Sequence, residues 1–253
     1  MNNSNYISTS SSVSELVATL GREERIVASE CPVWCFKKVS DIIEGITLNL
    51  SNMAGGFAFE FAGVNWPSSE QLYLAGEFTD PNIQREILSQ TSGYAAKRFI
   101  KAKYKKQVRV DFPTFRLQWM LWVVWQKCIG SETFRDKLLS IPDGVILVEE
   151  TTLDTVGTAQ IWGCKNKELI AYRKQLAERI KRNSINLTKK ALDLHLNIET
   201  NKVRNLGVFE GQNNIGKILM ICRRCLIEGS EPPIDRALLR SKNITISGKR
   251  LNF

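Results

Sequence analysis

Apolar and polar positions along this chain follow two periods, and the switches between them mark its elements. Short apolar runs at Trp34–Phe36 and Phe57–Phe61, the second preceded by Gly-Gly, predict strands bounded by turns. GVILVE, Gly144–Glu149, predicts another strand, followed by a second carboxylate at Glu150. Elsewhere the helical period takes over. Pro67 followed by a serine cap, Ser68 or Ser69, predicts a helix over Ser69–Phe78, and a second helix follows Pro81 over Asn82–Gln90. In Pro113–Ile129, Arg116, Trp119, Met120, Val123, Val124 and Lys127 recur at helical spacing. With Trp119, Trp122 and Trp125 in it, that helix has little polar face and is expected to be buried. Phe134–Leu139 predicts a short helix. Over 166–197, Leu169, Arg173, Leu176 and Ile180 share one stripe among polar and basic residues, and the last helix follows GQNNIG with Ile218, Leu219, Ile221, Cys222 and Leu226.

Val13–Ser29 predicts a short amphipathic helix which, with the Ser/Asn-rich residues before it, is expected to lie outside the core. The resulting boundaries are an N-terminal segment over 1–29, one domain over 30–230, a basic helical insert over about 164–210, and a C-terminal tail over 231–253. No internal repeat interrupts them.

Composition agrees with a folded domain. At 253 residues, 43% hydrophobic and 24% charged, the chain has ample material for a core. The longest apolar run, around WMLWVVW, falls far short of the roughly 20 residues a spanning helix needs, so no membrane partner is expected. MNNSNYISTSSS lacks the charged start and apolar centre of a signal peptide, which predicts a cytoplasmic location. The six cysteines then read as thiols, and CPVWC and CRRC make a poor zinc pair because their spacings differ and the second falls within a helical pattern. No metal is expected.

Charge narrows the picture further. The net charge of +9 predicts an anionic partner. Gly93–Val110 holds seven Lys or Arg and no acid, and Cys164–Asn205 holds 11 basic against 4 acidic residues. Each block is either a solvated face or a phosphate-binding one.

The candidate chemistry begins at WPSSEQLYLAGEF, Trp66–Phe78. On a helix, Glu70, Tyr73, Leu74 and Glu77 share a stripe, with the two carboxylates about 10 Å apart along the axis. Such a pair serves either as acid and base or as a wet surface. A wider set of motifs resembles the NADAR superfamily, whose name stands for NAD and ADP-ribose. The set comprises Ser51-Asn52-Met53, WPSSEQ, the basic GYAAKR, Arg116 and Met120 in an aromatic helix, LVEE, Asp154, Trp162-Gly163 and GQNNIGKILMICRR. The resemblance runs from about residue 30 to 230, interrupted by the insert.

The resemblance implies a mainly α, α+β single domain, with helices around a small set of short strands and a pocket for a ribose bearing a nitrogen-linked base. Family members include N-glycosidases of riboflavin-pathway intermediates and hydrolases that remove ADP-ribose from guanine in DNA, the latter paired with ADP-ribosyltransferase toxins of the DarT type. By this resemblance Glu70 is the central carboxylate, with Glu149 and Asp154 as further acids and Lys97 as a catalytic candidate. Ser51, Asn52 and Ser69 belong to the ligand-holding motifs. Trp66, Trp119 and Trp162 are either core or stacking residues. Arg98, Arg116 and Asn213, with Gly211 and Gly216 around the last helix start, would hold ribose or phosphate. Lys101, Lys103, Lys105 and Lys106 would steer nucleic acid.

Cleaving an N-glycosidic bond builds positive charge at the anomeric carbon, which a buried carboxylate stabilises. No cofactor is needed. Two departures from the family pattern stand out. Glu77 occupies the position where the glycosidase branch has a lysine, and Gln71 stands where a histidine usually follows the motif glutamate. The reading is an ADP-ribosyl-guanine hydrolase. Its alternatives are a glycosidase of a small riboflavin-pathway intermediate and a module that binds ADP-ribose without cleaving it.

Overall fold

The computed structural model describes residues 6–37, 41–154, 157–183, 187–203 and 205–253. From the N-terminus come α1 (Val13–Ala18), β1 (Glu24–Val27), β2 (Val33–Phe36), β3 (Ile42–Ile43), β4 (Ile46–Thr47), β5 (Phe59–Phe61) and β6 (Val64–Trp66). A helical stretch follows: α2 (Ser69–Ala75), α3 (Pro81–Leu88), α4 (Gly93–Lys103), a 3-10 turn at Lys105–Gln107, α5 (Phe112–Gly130) and α6 (Glu132–Leu139). Then come β7 (Ile146–Glu149), α7 (Ala159–Trp162), α8 (Lys167–Asn183), α9 (Lys189–Asn201), β8 (Val208–Gly211), α10 (Asn214–Glu228), α11 (Arg236–Ser241), β9 (Thr245–Ile246) and β10 (Lys249–Arg250). The α+β class read from the sequence is what the chain adopts, with short strands paired two by two among the described residues. None of its described helices is long and apolar enough to cross a membrane.

Contacts divide the chain into two compact units, Met1–Ser51 with Ile141–Arg224, and Asn52–Ser140 with Cys225–Phe253. In the first, β2 and β7 pair in parallel from Val33 opposite Ile146 to Phe36 opposite Glu149, and β1 pairs antiparallel with β8. The N-terminal segment differs from expectation. The helix stops at Ala18, Gly21 turns the chain at φ 77°, and Glu24–Val27 is a strand. The segment is also not outside the core, because Leu16 is fully buried and the Thr9 N–H donates to the Val145 carbonyl at 2.8 Å. The insert folds as α8 and α9. The Leu169, Leu176 and Ile180 stripe is buried as its spacing predicts, while residues 184–186 lie outside the described residues.

The second unit is organised on α5. Phe115, Trp119, Met120, Val123 and Val124 are buried, and the Trp119 and Trp122 rings stack at 5.3 Å. The expected C-terminal tail is a correction of the same kind as the N-terminal one. Leu239, Ile244 and Ile246 are buried, Gln84 Nε2 donates to the Thr245 carbonyl at 2.7 Å, and the Phe253 ring meets Trp122 edge-on at 5.3 Å. A short apolar pattern suffices there because each residue fills space that α3 and α5 leave open. One polar group inside this unit is unusual. Lys127 of α5 is 1% exposed, its Nζ lies 3.7 Å from the Phe134 ring centroid and 5.2 Å from that of Phe57, and it has no hydrogen-bond partner among the described residues. Burial pushes this amine down to about 7.

Candidate functional site

The site grows from the start of α2. Pro67 precedes the cap, and the Ser68 hydroxyl accepts from the Gln71 N–H at 3.3 Å, an arrangement that contributes about 1 kcal/mol to a helix. The Glu70 N–H donates to the Asn52 carbonyl at 3.0 Å, and the Ser69 hydroxyl bonds the same carbonyl and the Asn52 Oδ1 at 3.2 and 3.1 Å. Asn52 Nδ2 in turn reaches Met120 Sδ at 3.0 Å. Asn52 and Ser69 are therefore spent on fixing the first turn of α2, which fixes Glu70. Gln71 has a similar task. Its amide nitrogen bonds the carbonyls of Ile87, Leu88 and Gln90 at 3.1 to 3.3 Å, tying α2 to the end of α3. Gln71 is thus a buried clasp.

Helix α4 comes in against this turn through Gly93. A Cβ there would lie 2.9 Å from Glu70 Cβ and 3.0 Å from Met53 Cα, so only glycine permits the approach. Ser92 caps α4, accepting from the Ala95 N–H at 3.1 Å. One turn later Lys97 places its Nζ 3.5 Å from Glu70 Oε1. The Glu70 carboxylate is nearly buried, and Lys97 is about one-third exposed. Two residues absent from the expected site join them electrostatically. Glu77 lies just past the helix end, where its N–H donates to the Leu74 carbonyl. Burial, then the Glu70 carboxylate, push the Glu77 carboxyl up to about 8, with Lys97 pulling the other way. Burial and then Glu77 and Glu70 push the Tyr73 hydroxyl well up, while the half-buried Arg116 opposes them.

Chemically, the arrangement is a buried carboxylate beside a cation, with a second carboxyl kept protonated near neutral pH. That combination can stabilise positive charge, orient water and donate a proton. The i, i+3, i+7 spacing from Glu70 contained the signal for Tyr73 and Glu77, although α2 itself ends at Ala75.

Two tryptophans take the core alternative. Trp66 is fully buried and its Nε1 donates to the Phe61 carbonyl at 3.2 Å, while Trp119 is fully buried with Nε1 on the Tyr73 carbonyl at 3.0 Å. Neither leaves a ring face for a base. Gly76 allows the second bond, since a Cβ there would sit 2.3 Å from Trp119 Nε1.

The remaining expected residues belong to the first unit. Ser51 is buried, Glu149 and Trp162 are half-buried, and Asp154 is exposed. Asn213 is fully buried, and both ends of its amide are occupied: Oδ1 accepts from the Glu149 N–H at 3.2 Å and Nδ2 donates to the Leu147 carbonyl at 2.8 Å. A phosphate role for Asn213 is therefore corrected to a clamp on β7. Gly216 and Gly211 serve the same packing, because a Cβ would lie 2.1 Å from the Leu147 carbonyl oxygen or 2.4 Å from that of Gly163. Lys217 follows suit, fully buried with Nζ on the Thr19 and Arg22 carbonyls and 3.4 Å from Glu24. A buried acid was also missed on this side. Glu150, 1% exposed, accepts from the Thr152 N–H at 2.6 Å and from Arg173 at 3.2 Å. Two neighbouring carboxylates in LVEE could not say which of them turns inward.

Of the cationic candidates, Arg98, Lys101, Lys105 and Lys106 are exposed. Lys103 is exposed too but is held by Glu86 at 2.7 Å, which removes it as an unencumbered nucleic-acid contact. Among the described residues no three His, Cys, Asp or Glu side chains gather as a metal-ligand set.

Neither a family model nor a curated protein matches the chain. Among solved structures, it is similar to the NMR structure of the E. coli protein YbiA, with 22% identity, 78% of this chain and 86% of that chain covered, and a TM-score of 0.49.

Proposed function

We propose that the chain is an N-glycosyl hydrolase of the kind its NADAR-like motifs imply, releasing ADP-ribose from guanine in DNA and acting opposite an ADP-ribosyltransferase toxin. The observation that carries this reading is the Glu70 carboxylate, buried at the start of α2, paired with Lys97 at 3.5 Å and sharing its surroundings with Glu77 and Tyr73. In the proposed reaction the bond between the anomeric carbon and the base nitrogen breaks, and its electron pair leaves with the base. Glu77, protonated below about 8, supplies the proton to that nitrogen. Glu70 stabilises the oxocarbenium-like centre and takes a proton from the attacking water. Lys97 holds Glu70 in place and offers an amine where the family's lysine is replaced by Glu77.

The test is release of ADP-ribose from an oligonucleotide carrying ADP-ribosylated guanine, by the native chain, Glu70→Gln and Lys97→Ala. The expected result is turnover by the native chain and a loss of at least about a hundredfold in Glu70→Gln with binding retained. Binding of ADP-ribose by the native chain with no release refutes hydrolysis and leaves a sensor. Turnover of a free riboflavin-pathway intermediate, with none on DNA, moves the substrate to the small-molecule branch.

A further inference from the structure

Helix α4 has two faces with different chemistry. Gly93, Ala96 and Ile100 are buried, and Lys97 reaches Glu70. The exposed side, next to Lys97, carries Tyr94, Arg98 and Lys101 at i, i+4 and i+7, with Lys105 and Lys106 exposed in the 3-10 turn that follows. Tyr94 is 60% exposed, and the Arg98 guanidinium carbon lies 5.9 Å from its ring centroid. The segment from Gly93 to Val110 contains no acid. Lys103 is engaged elsewhere, with Glu86 at 2.7 Å and over the Phe99 and Tyr104 rings at 5.3 and 4.9 Å. What remains is an acid-free cationic stripe, about 10 Å along the helix from Tyr94 to Lys101, with an open aromatic ring at the end nearest Glu70 in sequence.

We propose that this face of α4 binds a single strand of nucleic acid, with Tyr94 stacking on an unpaired base and Arg98, Lys101 and Lys105 meeting phosphates. Lysines alone would fit any polyanion, including duplex DNA or an acidic protein. The exposed ring is what selects the occupant. An unstacked base carries a π-face and a phosphate on the same chain, and aromatic side chains beside backbone-tracking cations are how sequence-tolerant single-strand binding works. A duplex keeps its base faces stacked inside. The proposal deepens the functional reading above and rests on it only in linking the strand to Glu70: the helix that holds the strand is the one that carries Lys97. A base read while unpaired also fits chemistry on a modified guanine, which is reached most easily outside the stack.

The experiment is fluorescence anisotropy with a short labelled oligothymidylate, the same sequence annealed to its complement, and vesicles of phosphatidylcholine with phosphatidylserine, at several salt concentrations. The native chain is expected to bind the single strand more tightly than the duplex. Tyr94→Ala should weaken that binding at least about fivefold with an unchanged salt slope, while Tyr94→Phe retains it. Arg98→Ala and Lys101→Ala should each lower the slope of log K against log salt by about 0.7, whereas Lys103→Ala leaves it unchanged. Equal or tighter binding of duplex, a neutral Tyr94→Ala, or binding to anionic vesicles with none to the oligonucleotide each overturns the proposal. The oligonucleotide is unmodified, so these outcomes do not depend on hydrolysis. Release of ADP-ribose from an isolated modified nucleoside, compared between the native chain and Glu70→Gln, tests the reaction separately.

Discussion

Replacing Lys127 with methionine should stabilise the protein, by an amount that depends on pH in a defined direction. The side chain is buried on α5 between Phe57 and Phe134, and burial lowers its amine from 10.5 to about 7. Between those two values the unfolded chain holds the proton and the folded chain has lost it, so stability rises with pH across that window. Below about 7 the full cost applies. At about 1.4 kcal/mol per pH unit, the drop corresponds to about 5 kcal/mol, of which about 4 kcal/mol operates at pH 7 and about 2 kcal/mol at pH 9. The contacts of the charged amine with the two rings offset part of that cost. Methionine keeps the length and apolar stem and removes the charge, so its volume fits with little repacking. The assay is urea unfolding of the native chain and Lys127→Met at pH 7 and pH 9. The expected difference is a few kcal/mol in favour of methionine at pH 7, shrinking by about half at pH 9. A methionine variant no more stable at pH 7, or a gap that does not change with pH, would refute the idea of an uncompensated buried amine.

Three further outcomes follow from the same geometry. If Glu77 supplies the proton, the rate of ADP-ribose release should fall as pH rises through about 8, and Glu77→Gln should lower the rate while flattening that limb; a limb that persists in the variant assigns it to another group. Gly93→Ala would ordinarily gain about 1 kcal/mol inside a helix. Here the added Cβ meets Glu70 Cβ at 2.9 Å and the Met53 backbone at 3.0 Å, so thermal unfolding should show a loss of about 1–3 kcal/mol, together with reduced turnover. Asn213→Gly keeps the φ of 49° accessible but removes both bonds to β7, and should cost about 2–4 kcal/mol in urea unfolding; a stable variant that only loses ligand affinity would restore the phosphate role.

How much of this was legible in the sequence varies by element. The cap before Ser69, the aromatic helix around Trp119 and the Leu169, Leu176 and Ile180 stripe were readable because capping and helical period are local properties. The ends of the chain were not. Glu24–Val27 turns in little besides Ile26, and its strand exists because Val208–Gly211 lies opposite; β9 and β10, at two residues each, give no periodic signal. In the motifs, the sequence singled out Glu70 and the basic run over 93–110, but it could not tell a binding role from a packing one at Asn213, Trp66 and Trp119, residues whose polar atoms are taken up by backbone carbonyls and amides.

The sequence by itself determined which residue types stand at the start of α2, where the charge of the chain accumulates, and which helices have an apolar side. These follow from composition and spacing over a few turns. Only the tertiary structure decided that Lys97, 27 positions after Glu70, is its partner at 3.5 Å, that Glu77 shares their surroundings, and that Glu150 rather than Glu149 is the buried acid of its pair. The physical reason is that a side chain's charge state and availability depend on what surrounds it in space. At Glu70 those surroundings come from Asn52, Gly93 and Lys97, brought together by packing that requires a glycine at 93.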